Sequence, residues 1–398
     1  MAEFLCDAFG SNFLSALFYL FLWSPKIKNH FNSKSMKRII LQQCLVLLSL
    51  IFVNCDGSKE SSQQSVAKVN SIIDLIGDKK PEEVKRLELR DKGLTELPND
   101  IYLLKNIEYL DISNNQIKKL PEEIQQLKKL REFVAQNNQL EDLSKDLLSI
   151  KSLKQLVLNA NKIDSIPAEI INLDSLITVD ITDNQMTKVH SNIFLIKNLT
   201  ELSISNNKIA ELNIPKNPSI KLSKLYVANN QLSEVPEGIE QLKNLNTLDL
   251  SFNKITLLNN EIYKLTDLKF LNLENNLLSS ISPKISAFKN LESLSIAMNK
   301  LGSIPEEIYQ LPNLNFIQVE GNAFKFDFLK INNKEKFASI WLSDYQVDKK
   351  TISLKEYKTL AEIAIYFKND PPTEIDNYKK YFVDFNGNLL PRIEPAIN

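Results

Sequence analysis

The chain has 398 residues, of which only eight are Gly. That is roughly 2% against the roughly 7% of ordinary proteins, and it disfavours a Gly-rich nucleotide-binding fold. Forty-eight basic and forty-nine acidic residues leave a net charge of −1, with no global drive toward nucleic acid or an anionic surface. Two histidines, His30 and His190, and three cysteines, Cys6, Cys44 and Cys55, argue against a histidine triad, a multi-histidine metal site and a disulfide scaffold.

All cysteines fall in the first 55 residues. A basic start, Met36-Lys37-Arg38, leads into an apolar stretch that ends at Phe52-Val53-Asn54-Cys55. A polar Ser/Gln tether, residues 56–65, follows and has nothing to bury. The run falls short of the roughly 20 residues of a spanning helix. The layout is similar to a bacterial lipoprotein signal peptide over residues 36–55, with Cys55 as the lipidation site. Phe52 and Asn54 depart from the usual box, which has Leu three before the Cys and a small residue just before it; relaxed boxes of this kind resemble those of spirochaete lipoproteins. The alternative is an uncleaved anchor with Cys55 as a bystander. Residues 1–35 hold a second short apolar run, Phe13 to Trp23. A signal peptide belongs at the start of a chain, so Met36 reads as the initiator and residues 1–35 as an over-long start. A membrane hairpin of two segments is the alternative.

Residues 66–83 read as an N-terminal cap. From there the chain repeats. Asn recurs at Asn115, Asn138, Asn161, Asn184, Asn207, Asn230, Asn253, Asn276, Asn299 and Asn322, with a step of 23 and no slip. Apolar residues stand eight, five and three positions before each Asn and two after it, as in Leu245, Leu248, Leu250, Asn253 and Ile255. With a degenerate first unit at Val84, eleven units cover residues 84–336. This L-x-x-L-x-L-x-x-N-x-L pattern is identified as that of leucine-rich repeats. Second halves such as Leu120-Pro121-Glu122-Glu123-Ile124 and Ile304-Pro305-Glu306-Glu307-Ile308 resemble the 23-residue repeats abundant in spirochaetes such as Leptospira, as does the lead-in from Ile72 to Val84.

The period-two core of each unit predicts a short strand with its leucines on one face. Successive units should stack their strands in parallel. Pro at Pro98, Pro121, Pro167, Pro236 and Pro305 forbids a long helix on the return path and suits a turn or one to two turns of 3-10 helix. The fold class is therefore α/β: a leucine-rich-repeat horseshoe with a parallel sheet on its concave face. The repeated Asn sits where backbone groups lose sheet partners. An amide with donor and acceptor suits a structural ladder there, and a position kept in every unit cannot confer a local site.

The unit from Leu199 departs from pattern in Leu212 to Ile220, where Pro215 and Pro218 predict an extended return. Residues 337–398 read as a C-terminal cap or small module. Ser353-Leu354-Lys355-Glu356 reads as a capping box, and Leu354, Tyr357, Leu360, Ala361, Ala364 and Phe367 predict a helix. Asn386-Gly387 predicts a hairpin turn between Tyr381–Phe385 and Leu389–Leu390.

Searching for chemistry returns no phosphate loop and no convergent constellation. No enzyme, metal or cofactor is expected, and His190 reads as a surface turn residue. What varies between repeats can be specific. The third, fifth and seventh positions of each unit face outward, with the eighth at the bend. The first six units are mostly polar there: Arg86, Glu88, Arg90, Tyr109, Asp111, Glu132 and Gln155 among them, with Val134 and Val157 as exceptions. From the seventh unit Tyr226, Phe252, Phe270, Met298 and Phe316 appear within five rungs, and such density points to a protein partner. Phe252 and Met298, at the bend, are expected to tuck against the next coil. Lys224, Asn272, Glu274, Gln318 and Glu320 would form a polar rim. The functional reading is a non-catalytic, lipid-anchored binding module of the outer membrane or periplasm with a protein ligand. A structural scaffold of the envelope is the alternative.

Overall fold

The computed structural model describes residues 71–219, 221–327, 330–331, 339–343 and 346, together with the strands Ala364–Lys368, Tyr378–Val383 and Leu389–Pro391. The segment ending at Cys55, the tether after it and the Ser353–Glu356 box lie outside these residues.

Each unit lays down a three-residue strand, from Arg86–Glu88 in the first to Phe316–Gln318 in the eleventh. The strands stack in parallel without a register slip, so that Arg86 faces Tyr109 and Thr247 faces Phe270. The middle residue of each strand points inward and is buried, as at Leu110, Phe133, Leu202, Leu248 and Ile317. Alternation puts its two neighbours on the opposite face. Full burial of a Leu or Ile contributes about 1.5–3 kcal/mol. One unit cannot enclose its leucines alone; stacking makes the core continuous.

The return path is built from 3-10 turns. Pro98, Pro121, Pro167 and Pro305 each stand just before a five-residue 3-10 helix, with extended backbone. Their fixed φ sets the entry angle, and the missing N–H costs nothing there. The irregular unit runs extended, as its prolines suggest. Asn213 bridges Glu237 of the next coil, and the ladder continues at Lys224–Tyr226 beside Glu201–Ser203. Gly238 adapts to this bulge: its φ is +77, and a side chain would collide with the Ile214 carbonyl. A second, two-stranded sheet joins Ser165–Ile166 to Lys188–Val189 on the return side.

At the N-terminal end a short helix, Ile73–Ile76, covers the first coil. The Asp100 carboxylate holds it, accepting from the Ile72 N–H at 2.8 Å and the Ser71 hydroxyl at 2.6 Å.

The C-terminal end corrects the last part of the expected helix; its earlier residues, Leu354 to Ala361, lie outside the described ones. The ladder goes on past Phe316–Gln318 to a twelfth rung, Ser339–Ser343, and a thirteenth, Ala364–Lys368, both parallel. Ala364 and Phe367 therefore lie in a strand. Their helical spacing is outweighed by the run Ile365-Tyr366-Phe367, whose side chains favour strands, beside an open sheet edge that needs pairing. Tyr378–Val383 then pairs antiparallel with that strand and with Leu389–Pro391, the pairing expected of a hairpin. The whole forms one 15-stranded sheet.

Candidate functional site

The backbone groups at the strand ends are satisfied by the repeated Asn. Asn207 is typical: its Oδ1 accepts from the Met186 N–H of the previous coil at 2.9 Å. Its amide donates to the Ile181 carbonyl of that coil at 3.1 Å and to Ile204 and Ser205 of its own. The same pattern recurs from Asn115 to Asn322, and all ten side chains are buried.

A second ladder escaped the sequence reading. The residue just before each repeated Asn has positive φ, between 50° and 57° from Asp91 to Met298. Asp183, Asn206 and Asn229 link side chain to side chain there, at 2.7 and 3.0 Å, and Asn137 bonds Asn114 at 3.1 Å. Asn and Asp tolerate this left-handed backbone better than other residues with a side chain. The doublets Asn114-Asn115, Asn206-Asn207 and Asn229-Asn230 were the available signal.

The outer sheet face divides into two regions. In the N-terminal region charges pair with one another. The Arg86 guanidinium lies 3.4 Å from the Tyr109 ring centroid and bonds Glu88 at 2.8 Å. Tyr109 donates its hydroxyl to Asp111 Oδ2 at 3.1 Å, and Arg90 Nε stands 3.6 Å from the same oxygen. Burial, then the Asp111 charge, push the Tyr109 phenol up. Arg131 pairs with Glu108 at 3.2 Å. Lys224 pairs with Glu201 at 2.7 Å, and further along Lys269 pairs with Glu292 at 3.1 Å, at the same repeat position as Arg131 and Glu108.

Beyond Lys224 the face changes. Phe270 and Phe316 share one row, with Ser293 between them. Tyr226 stands in the next row, directly beside Asp249. All three rings are half-buried. Phe316 also meets Trp341 of the twelfth rung, centroids 6.5 Å apart and planes tilted by 52°. The five candidates thus line one stretch of sheet and its bend rather than converging on a single point.

The two bend residues behave differently. Met298 lies over Gly321 of the next coil, where a side chain would collide with it. Phe252 does not tuck in as expected: it is 36% exposed, with φ of 53°. Its neighbours in the row are Asn229 and Asn275, and the underlying core is already filled by Leu250 and Ile255. It therefore combines a strained backbone with an exposed ring. Leu257 and Leu277, 60% and 37% exposed, lie on the same and the following coil.

Asp180 and Asp249 lie three coils apart and form no acid–base pair with one another. Asp180 and Asp249 each accept from the backbone N–H two residues on, at 3.0 and 2.9 Å. Desolvation pushes both carboxyls up. His190 is exposed and starts a 3-10 helix, its Nδ1 accepting from the Asn192 N–H. Among the described residues no acidic, His or Cys group is arranged to hold a metal, and no helix is long and apolar enough to cross a membrane.

The model of the leucine rich repeat family matches residues 82–140 and 220–278. Comparison with curated proteins returned no match. Among solved structures the chain is similar to a leucine-rich-repeat protein of Leptospira interrogans, at 24% identity over 75% of this chain and 99% of that one, with a TM-score of 0.51. It is also similar to the functional domain of InlJ from Listeria monocytogenes, which includes a cysteine ladder (18% identity, 72% and 69% covered, TM-score 0.57). The leucine-rich repeat domain of APL1B matches at 17% identity over 87% and 96%, with a TM-score of 0.58. The fold is a leucine-rich-repeat solenoid.

Proposed function

We propose that the chain is a non-catalytic protein-binding module, held in the bacterial cell envelope by lipid on Cys55, whose sheet face takes a protein ligand beyond Lys224. A fold of this kind hosts many functions, so the reading rests on the site. The observation that carries it is Phe252, an exposed ring on left-handed backbone, on the coil between those that carry half-buried Tyr226 and Phe270. Aromatic anchors of this sort dominate interfaces because they bury large area at little entropic cost. The ligand comes from the envelope or from a host surface, and the lipid supplies the membrane contact.

Two measurements test the reading. Mass spectrometry of the native N-terminus should find an acylated Cys55; an unmodified Cys55, or a chain still carrying Met36, removes the anchor. For binding, the immobilised chain is used to capture ligand from envelope and host-matrix extracts, and the affinity is then compared across variants. Replacing Tyr226, Phe270 and Phe316 singly by Ala should weaken binding by about 2 kcal/mol or more for at least one. Gln155→Ala and Thr178→Ala should be near neutral, with thermal unfolding unchanged throughout. Parental binding by all three aromatic variants would exclude this face.

A further inference from the structure

The two regions of the sheet face contain the same acidic motif in two states. Asp111-Ile112-Ser113 and Asp249-Leu250-Ser251 occupy the same position of their repeats, six coils apart. Their local geometry matches: Ser113 N–H and Ser251 N–H each donate to the preceding Asp Oδ1 at 2.9 Å. The neighbouring coil is joined alike. Leu89 and Asp91 bond Asp111 and Ser113 as Val227 and Asn229 bond Asp249 and Ser251. Between the first pair stands Arg90, and between the second stands Ala228.

At the first site the carboxylate is occupied. Arg90 lies 3.6 Å from Asp111, the Tyr109 hydroxyl donates to the same oxygen, and Arg86 stacks on the Tyr109 ring. Asp111 is only 2% exposed as a result, and the buried Ser113 hydroxyl has no partner. At the second site there is no cation. Asp249 is bonded by Ser251, whose hydroxyl turns onto it at 2.6 Å, and by Asn272. Among the described residues no lysine or arginine pairs with it, and the nearby Lys224 is already held by Glu201 at 2.7 Å. Where Arg90 stands at the first site, the second has only the methyl group of Ala228, which is half-buried. A tyrosine ring is at hand here too, because Tyr226 stands beside Asp249 in register. Asp180 has the same motif, but its neighbours on the preceding coil are Val157 and Asn159, so no ring lies beside it.

We propose that this place over Ala228 receives an arginine side chain of the protein partner, its guanidinium against the Asp249 carboxylate and the Tyr226 ring. A planar guanidinium suits both contacts at once, bonding a carboxylate and stacking on an aromatic face. Both cations of the occupied copy are arginines. The inference rests on the protein-binding reading above, and it names the chemistry of one contact within that face.

The test uses the full chain with 13C-labelled alanine methyl groups and two small probes. N-acetyl-argininamide carries the guanidinium; N-acetyl-citrullinamide has nearly the same shape without the charge. Argininamide should shift the Ala228 methyl resonance saturably, citrullinamide should leave it in place, and Asp249→Asn should weaken the arginine response by about tenfold. An equal response to citrullinamide, or one that survives Asp249→Asn, overturns the proposal. So does spermidine displacing argininamide at lower concentration, which would assign the place to a polyamine. Ala228→Arg supplies the guanidinium from within and should lower partner capture by about tenfold with folding intact. If the parent captures a partner through Phe270 and Ala228→Arg captures it equally well, the arginine contact fails while the protein-binding reading stands. If argininamide binds over Ala228 and Ala228→Arg lowers capture, but capture ignores Phe252, Phe270 and Phe316, the aromatic docking reading fails alone.

Discussion

The N-terminal and C-terminal halves of the outer sheet face are built on the same backbone and differ in what their side chains leave over. From Arg86 to Ser203 many of the charged groups find partners on the face itself, as in Arg86 with Glu88 and Tyr109, or Arg90 with Asp111. An ion pair as exposed as Arg86 with Glu88 adds little stability, but such pairs leave a surface with few unmet demands. From Tyr226 to Trp341 the outward positions carry rings and an acid held without a cation. Because the scaffold is constant, the difference isolates what the side chains contribute. The first half pairs its charges across the face, and the second presents rings and an acid held without a cation.

The largest expected effect checks that the scaffold really is constant. Asn207→Ala and Asn276→Ala lie on either side of the boundary and remove the same bonds to the preceding coil. Each should destabilise by about 1–3 kcal/mol, the cost of stranding buried backbone groups, as read by denaturant unfolding. A large gap between the two variants would mean that the halves differ in their framework, and the comparison would break.

A smaller effect, of opposite sign, sharpens it. Phe252→Asn places the residue of its neighbours on the left-handed backbone and should stabilise the fold by about 1 kcal/mol, while weakening partner capture. Asn229→Phe, the reverse change in the preceding coil, should destabilise. If Phe252→Asn is destabilising instead, the ring contributes to packing and its exposure has no functional meaning.

The smallest effect is the pH dependence of Asp249. Desolvation lifts its folded pKa above the ordinary carboxylate value of about 4. A carboxyl raised on folding binds its proton more tightly in the folded chain. Its contribution therefore favours folding below the ordinary value and is lost as pH rises through the folded value. Asp249→Asn should raise Tm at pH 7, and the gap should close as the pH falls toward about 4. A gap that widens on acidification would mean that Asp249 is stabilised in its charged form.

Much of this was legible in the chain alone. Ten Asn residues in step placed the strands, because a period of two inside a period of 23 leaves few alternatives. The aromatic change from the seventh unit onward was equally visible. What was hidden depended on neighbours that pattern does not name. Met298 and Phe252 share a position and a backbone conformation, yet one covers Gly321 while the other finds its core already full. The Ala364–Lys368 strand was hidden because its apolar spacing fits a helix as well, and the open sheet edge decided between them. The twelfth rung, Ser339–Ser343, went unseen because Tyr345 stands where the repeat would have Asn. The empty counterpart of Arg90 at Ala228 emerged only when the paired coils could be laid over one another.

The most direct test is hydroxyl-radical footprinting of the full chain, with and without the captured partner, read residue by residue by mass spectrometry. Phe252, Phe270 and Tyr226 should lose reactivity when the partner is bound, while Tyr109 and Tyr102 keep theirs. Protection centred on Tyr109, or spread evenly over both halves, would contradict the account.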